Sequence, residues 1–179
     1  PKPQNPHTKV VNYYKMEIKV EDIEWRTYES ESDLATIMSM MKRDLSEPYP
    51  IYTYRYFVQQ WPKLTLFATY KGNILGTIVS KLDDQTKQTA EGPVTRKRGY
   101  IAMLSVNPEY RRLGLGRLLV QRSIDIMREN GADEIMLETE ITNHAALRLY
   151  ESFGFIRDKR LKCYYLSGID AYKLKLLFN

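Results

Sequence analysis

The stretch YIAMLSVNPEYRRLGLGR, Tyr100 to Arg117, constrains the fold more than any other. Its first seven residues are an apolar run that reads as a buried strand. The segment Glu109–Leu119 then sets the pair Arg111-Arg112 and two spaced glycines ahead of Leu119, Val120, Ser123, Ile124, Ile126 and Met127, which share one helical face until Gly131 stops the helix. Strand, glycine turn and helix start together make an anion site, because the first N–H groups of a helix lack partners and its dipole end is positive. Gly114 and Gly116 let a phosphate approach the backbone where a side chain would block it, and Arg111 and Arg112 add forked donors, so the ligand expected is a pyrophosphate. A nucleotide-hydrolysing loop needs Lys-Ser/Thr after its last glycine, and here Arg117-Leu118 stands instead; a dinucleotide loop needs a third glycine that is missing. The alternative at this point is an exposed basic turn whose glycines serve only the backbone.

The rest of the chain narrows the class. With 179 residues, 43% apolar and 27% charged, there is enough sequence for one well-buried core and too little for two comfortable domains. No apolar run approaches the ~18 residues of a membrane span, and PKPQNPHTKVVNYYK lacks the apolar core of a signal peptide. One cysteine, Cys163, excludes an intrachain disulfide framework, while His7 and His144 have no metal-ligand spacing. The expectation is a reducing, cytoplasmic setting with no metal and no membrane. A net charge of +5 permits an anionic ligand without demanding nucleic acid.

Residues 1–22 read as a polar N-terminal extension and 23–179 as one domain. WRTY, from Trp25, reads as a first strand. Leu34, Ile37, Met38, Met41 and Leu45 then recur with helical spacing, and Ser32 or Asp33 is placed to cap that helix. A second helix runs from Tyr52 to Gln60 and stops at Pro62. TLFATY and ILGTIVSKL flank Lys71-Gly72-Asn73 as a hairpin, and Asp83–Arg98 reads as a long polar loop. After the opening motif, IMLETE is a strand, Asn143 caps a helix running through Phe153, and strands at about Phe155–Leu166 and Ala171–Phe178 close the chain. The order gives seven strands and four helices, a mixed α/β (α+β) domain on a largely antiparallel sheet.

In LETEITNHAALRLYESFGF, Asn143, Ala146, Leu147 and Tyr150 form one helical stripe of a polar cap, small residues and a phenol, suited to a long ligand. At these residues the chain resembles a known superfamily. Arg111-Arg112-Leu113-Gly114-Leu115-Gly116 matches the R/Q-x-x-G-x-G/A loop of the GCN5-related N-acetyltransferases (GNAT), and Asn143-x-x-Ala146-x-x-Leu149-Tyr150 with Gly154-Phe155 matches their second coenzyme A motif. DLSEPYPIYTYRYF (Asp44–Phe57), RGYIAMLSV, EIMLETEITN and YYL (Tyr164–Leu166) are similar to the catalytic-subunit family of the N-terminal acetyltransferase NatC, over about Trp25 to Phe178. The chain departs from that pattern at Cys163, where relatives carry Arg, at Pro50, and in the longer 83–98 segment.

The resemblance implies the GNAT fold with acetyl-CoA as co-substrate and protein N-termini as acceptors, initiator Met followed by Leu, Ile, Phe or Trp being preferred. It also implies auxiliary NatC subunits, a ribosomal setting and no sequence-specific nucleic acid. An α-amino group of pKa near 8 must lose a proton before it attacks a thioester. Glu138 and Glu140 lie on one face of their strand, and the resemblance makes Glu138 the base, direct or through water, with Tyr150 the acid that meets the departing thiolate. Taken alone, Glu138 is equally a solvated strand-end charge, while for Tyr150 a core tyrosine with its hydroxyl at the rim is the lesser alternative. Implied cofactor contacts are Leu104, Ser105 and Val106, whose backbone meets the acetyl carbonyl, then Arg111 through Gly116, which includes Leu113 and Leu115, and Asn143, Ala146 and Tyr150. Implied acceptor contacts are Leu45, Glu47, Tyr49, Tyr100, Tyr164 and Tyr165. Cys163 has no acid or histidine arranged around it as a nucleophile would. Two further readings stay open: an acetyltransferase acting on lysine side chains or small amines, and a non-catalytic coenzyme A- or RNA-binding module using Arg96-Lys97-Arg98 with Arg111-Arg112.

Overall fold

In a computed structural model describing residues 18–45, 47 and 49–178, seven strands form one sheet in the order β1-β2-β3-β4-β5-β7-β6. The strands are β1 (Glu24–Thr27), β2 (Thr65–Tyr70), β3 (Asn73–Thr89), β4 (Gly92–Val106), β5 (Glu134–Glu140), β6 (Ile156–Leu161) and β7 (Ala171–Leu177). Every neighbouring pair is antiparallel except β4 with β5, which α3 (Leu115–Glu129) connects. Helices α1 (Glu31–Asp44) and α2 (Ile51–Gln60) cover one face, packing Leu34, Ile37, Met41, Tyr54 and Phe57 on Phe67, Val79 and Met103. On the other face α3 and α4 (His144–Glu151) bring Leu115, Leu119, Met127, Leu147 and Tyr150 onto Leu66, Ile78, Ile135 and Leu174. The expected extension lies outside the described residues up to residue 17, His7 included, and Val20–Asp22 form a 3-10 turn. No helix among the described residues is long and apolar enough to cross a membrane.

Three local readings need correction. The segment 83–98 is not a loop: β3 and β4 stay paired from Asp83↔Arg98 to Thr89↔Gly92 and project as a two-stranded ribbon with a turn at Ala90-Glu91. Both its faces are polar, so the alternation that marks a strand is absent; opposite charges (Asp83↔Arg98, Asp84↔Lys97) and a Thr86–Thr95 hydroxyl pair at 2.8 Å hold it instead. Helix α1 is capped by Ser30 rather than Ser32 or Asp33; Asp33 sits in the first turn, where its carboxylate accepts the Glu29 N–H at 2.9 Å and pairs with Arg26 at 2.7 Å. The last helix ends at Glu151, and β6 at Leu161, so Lys162–Asp170 is a loop.

One irregularity shapes the centre of the sheet. In the β3–β4 ladder Val79 faces Met103 and Ser80 faces Ile101, leaving Ala102 as the extra residue of a bulge. A bulge bends its strand, and β4 pairs with β5 only at Arg98↔Glu134, Gly99↔Ile135 and Tyr100↔Met136, directly before this point. Beyond it the two strands part. Gly99 permits their close approach at the joined end, since a Cβ there would lie 2.6 Å from Met127 Sδ and 2.9 Å from Ile135.

Candidate active site

Between the parted strands lies a cleft of about 460 Å³, walled by Ile101–Leu104 of β4 and Leu137–Glu140 of β5. Past Tyr100 and Met136 neither inner strand edge has a strand partner, so their backbone groups are open to an extended ligand. Asn143, Ala146 and Tyr150 of the α4 stripe line one end of the cleft; Leu45, Glu47, Tyr49, Tyr164 and Tyr165 line the other.

Glu138 stands between the two ends. Its side chain is 12% exposed, one oxygen accepts the Tyr100 hydroxyl at 2.8 Å, and the other lies 3.7 Å from Lys173 Nζ, the residue directly across the β5–β7 ladder. Burial, reinforced by that carboxylate, pushes the Tyr100 phenol far above the ordinary tyrosine range, so it remains a donor. Tyr150 is 5% exposed, with its ring edge-on to Phe155 at 5.6 Å, and burial alone raises its phenol. A phenol so raised keeps its proton at neutral pH.

At the end lined by Leu45, Glu47 and the three tyrosines two loops meet. Glu47, between α1 and α2, accepts the backbone N–H of Leu166, between β6 and β7, across 119 residues of sequence. The second loop is shaped by Asp170, which accepts the N–H of Cys163 at 2.8 Å, a residue with φ of 47°, and pairs with Arg160 at 2.7 Å. Tyr164 and Tyr165 pack edge-on at 5.2 Å, and both phenols, like Tyr49, are raised first by burial and then by nearby acidic groups.

Beyond the other end, α3 opens at Gly114, whose φ of 78° suits glycine, and the first helical bond runs from Leu118 N–H to the Gly114 carbonyl. The N–H groups of Leu115, Gly116 and Arg117 precede that bond. A Cβ on Gly116 would meet nothing nearer than Leu149 at 3.8 Å and Val106 at 3.9 Å, so the protein's own packing does not demand glycine there. Such a position fits a group approaching the backbone from outside, and acetyl-CoA's pyrophosphate is such a group. Beside it Asp44, at the end of α1, pairs with Arg43 at 2.9 Å and Arg111 at 2.7 Å and accepts the Ser105 hydroxyl. Burial pushes its carboxyl up, yet these partners hold it below the usual carboxylate range.

The family model for the acetyltransferase (GNAT) family matches residues 34–155. The chain belongs to the GNAT family. Among GNAT proteins it is similar to N-alpha-acetyltransferase 30 of Xenopus laevis, 53% identical over 154 residues that make up 86% of this chain and 54% of that protein. N-alpha-acetyltransferase 30 of Saccharomyces cerevisiae is 48% identical over 152 residues, 82% of each chain. The chain thus spans about half the length of the vertebrate relatives it matches or less (54%, 41% and 40%). A crystal structure of the NatC complex bound to Gag peptide and CoA superposes with a TM-score of 0.80 at 44% identity, over 88% of this chain and 99% of that one.

Against this GNAT frame the expected residues divide. Glu138, Tyr150, Leu104, Asn143, Ala146, Leu45, Glu47, Tyr49, Tyr164 and Tyr165 converge on one cleft. Tyr100 turns to Glu138 rather than lining that cleft. Leu115 is buried, Leu113 half-buried and Ser105 tied to Asp44, so at these three it is the backbone that can face a ligand. Arg111 also donates to the Val106 carbonyl at 3.1 Å, which braces the turn, whereas Arg112 is exposed with φ of 70°. Sequence reasoning missed Asp44, Thr139 and Lys173; Lys173 alone had a signal, its place opposite Glu138 once β5 and β7 are paired. Among the described residues no cluster of His, Cys, Asp or Glu could hold a metal ion.

Proposed function

We propose that this chain transfers the acetyl group of acetyl-CoA to the α-amino group of protein N-termini, preferring an initiator Met followed by a large apolar residue. The observation that carries the reading is the cleft between the parted ends of β4 and β5, which joins the α4 stripe, Glu138 and the two meeting loops. Its likeness to the NatC complex structure, which contains CoA and a peptide, supports auxiliary subunits as partners; a ribosomal and cytoplasmic setting belongs to the same proposal.

Acetyl-CoA supplies the thioester that is attacked. The N–H groups opening α3 and the Asn143–Ala146–Tyr150 stripe hold it, and the unpaired edge of β4 at Leu104–Val106 donates to the acetyl carbonyl. Glu138 takes the proton of the ammonium terminus, directly or through water, while Tyr100 and Lys173 fix its position. Tyr150 gives a proton or hydrogen bond to the departing thiolate, which its raised phenol suits. Leu45 and Tyr49 offer the apolar wall for the second side chain. A missing methylene in such a pocket costs ~1–3 kcal/mol, so preference is graded, whereas a buried unpaired charge costs more. The bridged loops suit a chain terminus and obstruct an internal lysine.

The test is kcat/KM on matched peptides that differ at the second residue, beside one with a blocked terminus and an internal lysine. Met-Leu should exceed Met-Asp, Met-Glu and Met-Lys clearly, and the lysine should be poor. Preference for the acidic second residue, or faster transfer to lysine, would overturn the assignment.

A further inference from the structure

A second cleft of about 390 Å³ adjoins the first, and Glu138 and Tyr164 line both. Phe57 of α2, Lys81, Asp83 and Arg98 of the β3–β4 ladder and Lys173 of β7 form its walls. A chain whose amino end reaches Glu138 needs a way out. One end of the main cleft is given to the cofactor, and at the other the Glu47–Leu166 hydrogen bond bridges the loops. The opening that shares Glu138 leads into the second cleft and on to the ribbon.

Residues directly opposite in an antiparallel ladder share a face, and the face repeats every second residue. The pairs Lys81↔Tyr100 and Asp83↔Arg98 therefore continue on the same face into Gln85↔Arg96 and Lys87↔Val94. Beyond Asp83 this face carries Arg96 and Lys87 and no carboxylate before the turn at Glu91, and Arg96 is 58% exposed. Arg98 is paired with the buried carboxylate of Glu134, and Lys175 lies between that carboxylate and Asp158 at 3.3 Å, so Arg96, 4.0 Å from the same Glu134, is left with charge in excess.

Resting on the acetyltransferase reading above, we infer that the second cleft holds the acceptor chain from its third residue onward and that the ribbon face selects acceptors acidic at positions four to seven. The lengths agree: an extended chain advances ~3.3 Å per residue, so Arg96, four residues from Tyr100, lies ~13 Å away and Lys87 ~20 Å. The fourth or fifth acceptor residue comes beside Arg96, and the sixth or seventh beside Lys87.

The experiment measures Kd by calorimetry for conjugates in which CoA is joined through an acetyl linker to Met-Leu-Ala followed by four residues, all Asp, all Ala or all Lys. The acidic conjugate should bind about fivefold or more tighter than the basic one at ~50 mM salt, with the neutral one between, and the spread should collapse at ~1 M salt, where the Debye length is ~3 Å. Arg96→Glu with Lys87→Glu, both on the ribbon away from Glu138, should reverse the order. Equal affinities in the wild type, or an order unmoved by charge reversal, would overturn the ribbon inference while leaving the acetyltransferase reading intact. If no Met-Leu conjugate binds more tightly than CoA, that reading falls and the inference with it.

Discussion

The two ends of the cleft are built by different means. The proposed cofactor end uses backbone: the N–H groups opening α3 and the unpaired edge of β4, which follow one another within residues 101–117. The proposed acceptor end uses side chains from distant places, Glu47 against Leu166, Tyr100 from β4 and Lys173 from β7 against Glu138. A backbone site is blocked by adding atoms, whereas a side-chain site is lost by removing them. The acceptor end can change its preferences one side chain at a time while the cofactor end stays as it is.

The largest expected effect tests whether the ends are separable. Glu138→Gln should lower kcat by roughly 10²- to 10⁴-fold with acetyl-CoA affinity changed less than about twofold, because the base proposed here acts in the transition state. Equal losses in both quantities would merge the two ends. Tyr150→Phe removes only the phenol and keeps the ring on Phe155, so kcat should fall by at least about tenfold with thermal stability retained. Gly116→Ala adds one carbon that meets no protein atom nearer than 3.8 Å. It should weaken acetyl-CoA binding about tenfold in calorimetry, the equivalent of ~1.4 kcal/mol, while the unfolding temperature stays within about 2 °C. Unchanged affinity would take the glycine turn out of the site. Glu47→Ala should be the mildest: with the loops no longer bridged, peptide KM should rise about three- to tenfold and acetyl-CoA affinity should hold. A loss confined to acetyl-CoA binding would show that the loops serve the cofactor instead.

The two ends also differ in how far residue order announced them. The strand-turn-helix with Gly114 and Gly116 is local, so its spacing pointed to an anion site before any fold was known. Tyr150 stands out on its helical stripe, but the pairing of Glu138 as base with Tyr150 as acid comes through resemblance, since a lone strand carboxylate can equally be a solvated charge and a half-apolar phenol can be a core residue. The resemblance puts Tyr100 among the acceptor contacts, and nothing in its neighbours says which way it turns; its bond to Glu138 depends on the β4–β5 register. The ribbon was misread as a loop for a related reason. Its strands bury nothing, and pairing between residues 83–89 and 92–98 leaves no apolar alternation to read.

By itself the sequence determined the order of the elements, the helix stripes, the glycine turn and the expectation of one mixed sheet, because each follows from the period of apolar residues over a few turns or a few pairs. Only the tertiary structure decided the rest: the Ala102 bulge that parts β4 from β5, the Asp44 cluster that commits Arg111, the Tyr100–Glu138–Lys173 arrangement and the second cleft leading to the ribbon. These depend on register between strands and on contacts between residues far apart in the chain. A one-residue shift in any ladder would turn the same side chains to the opposite face.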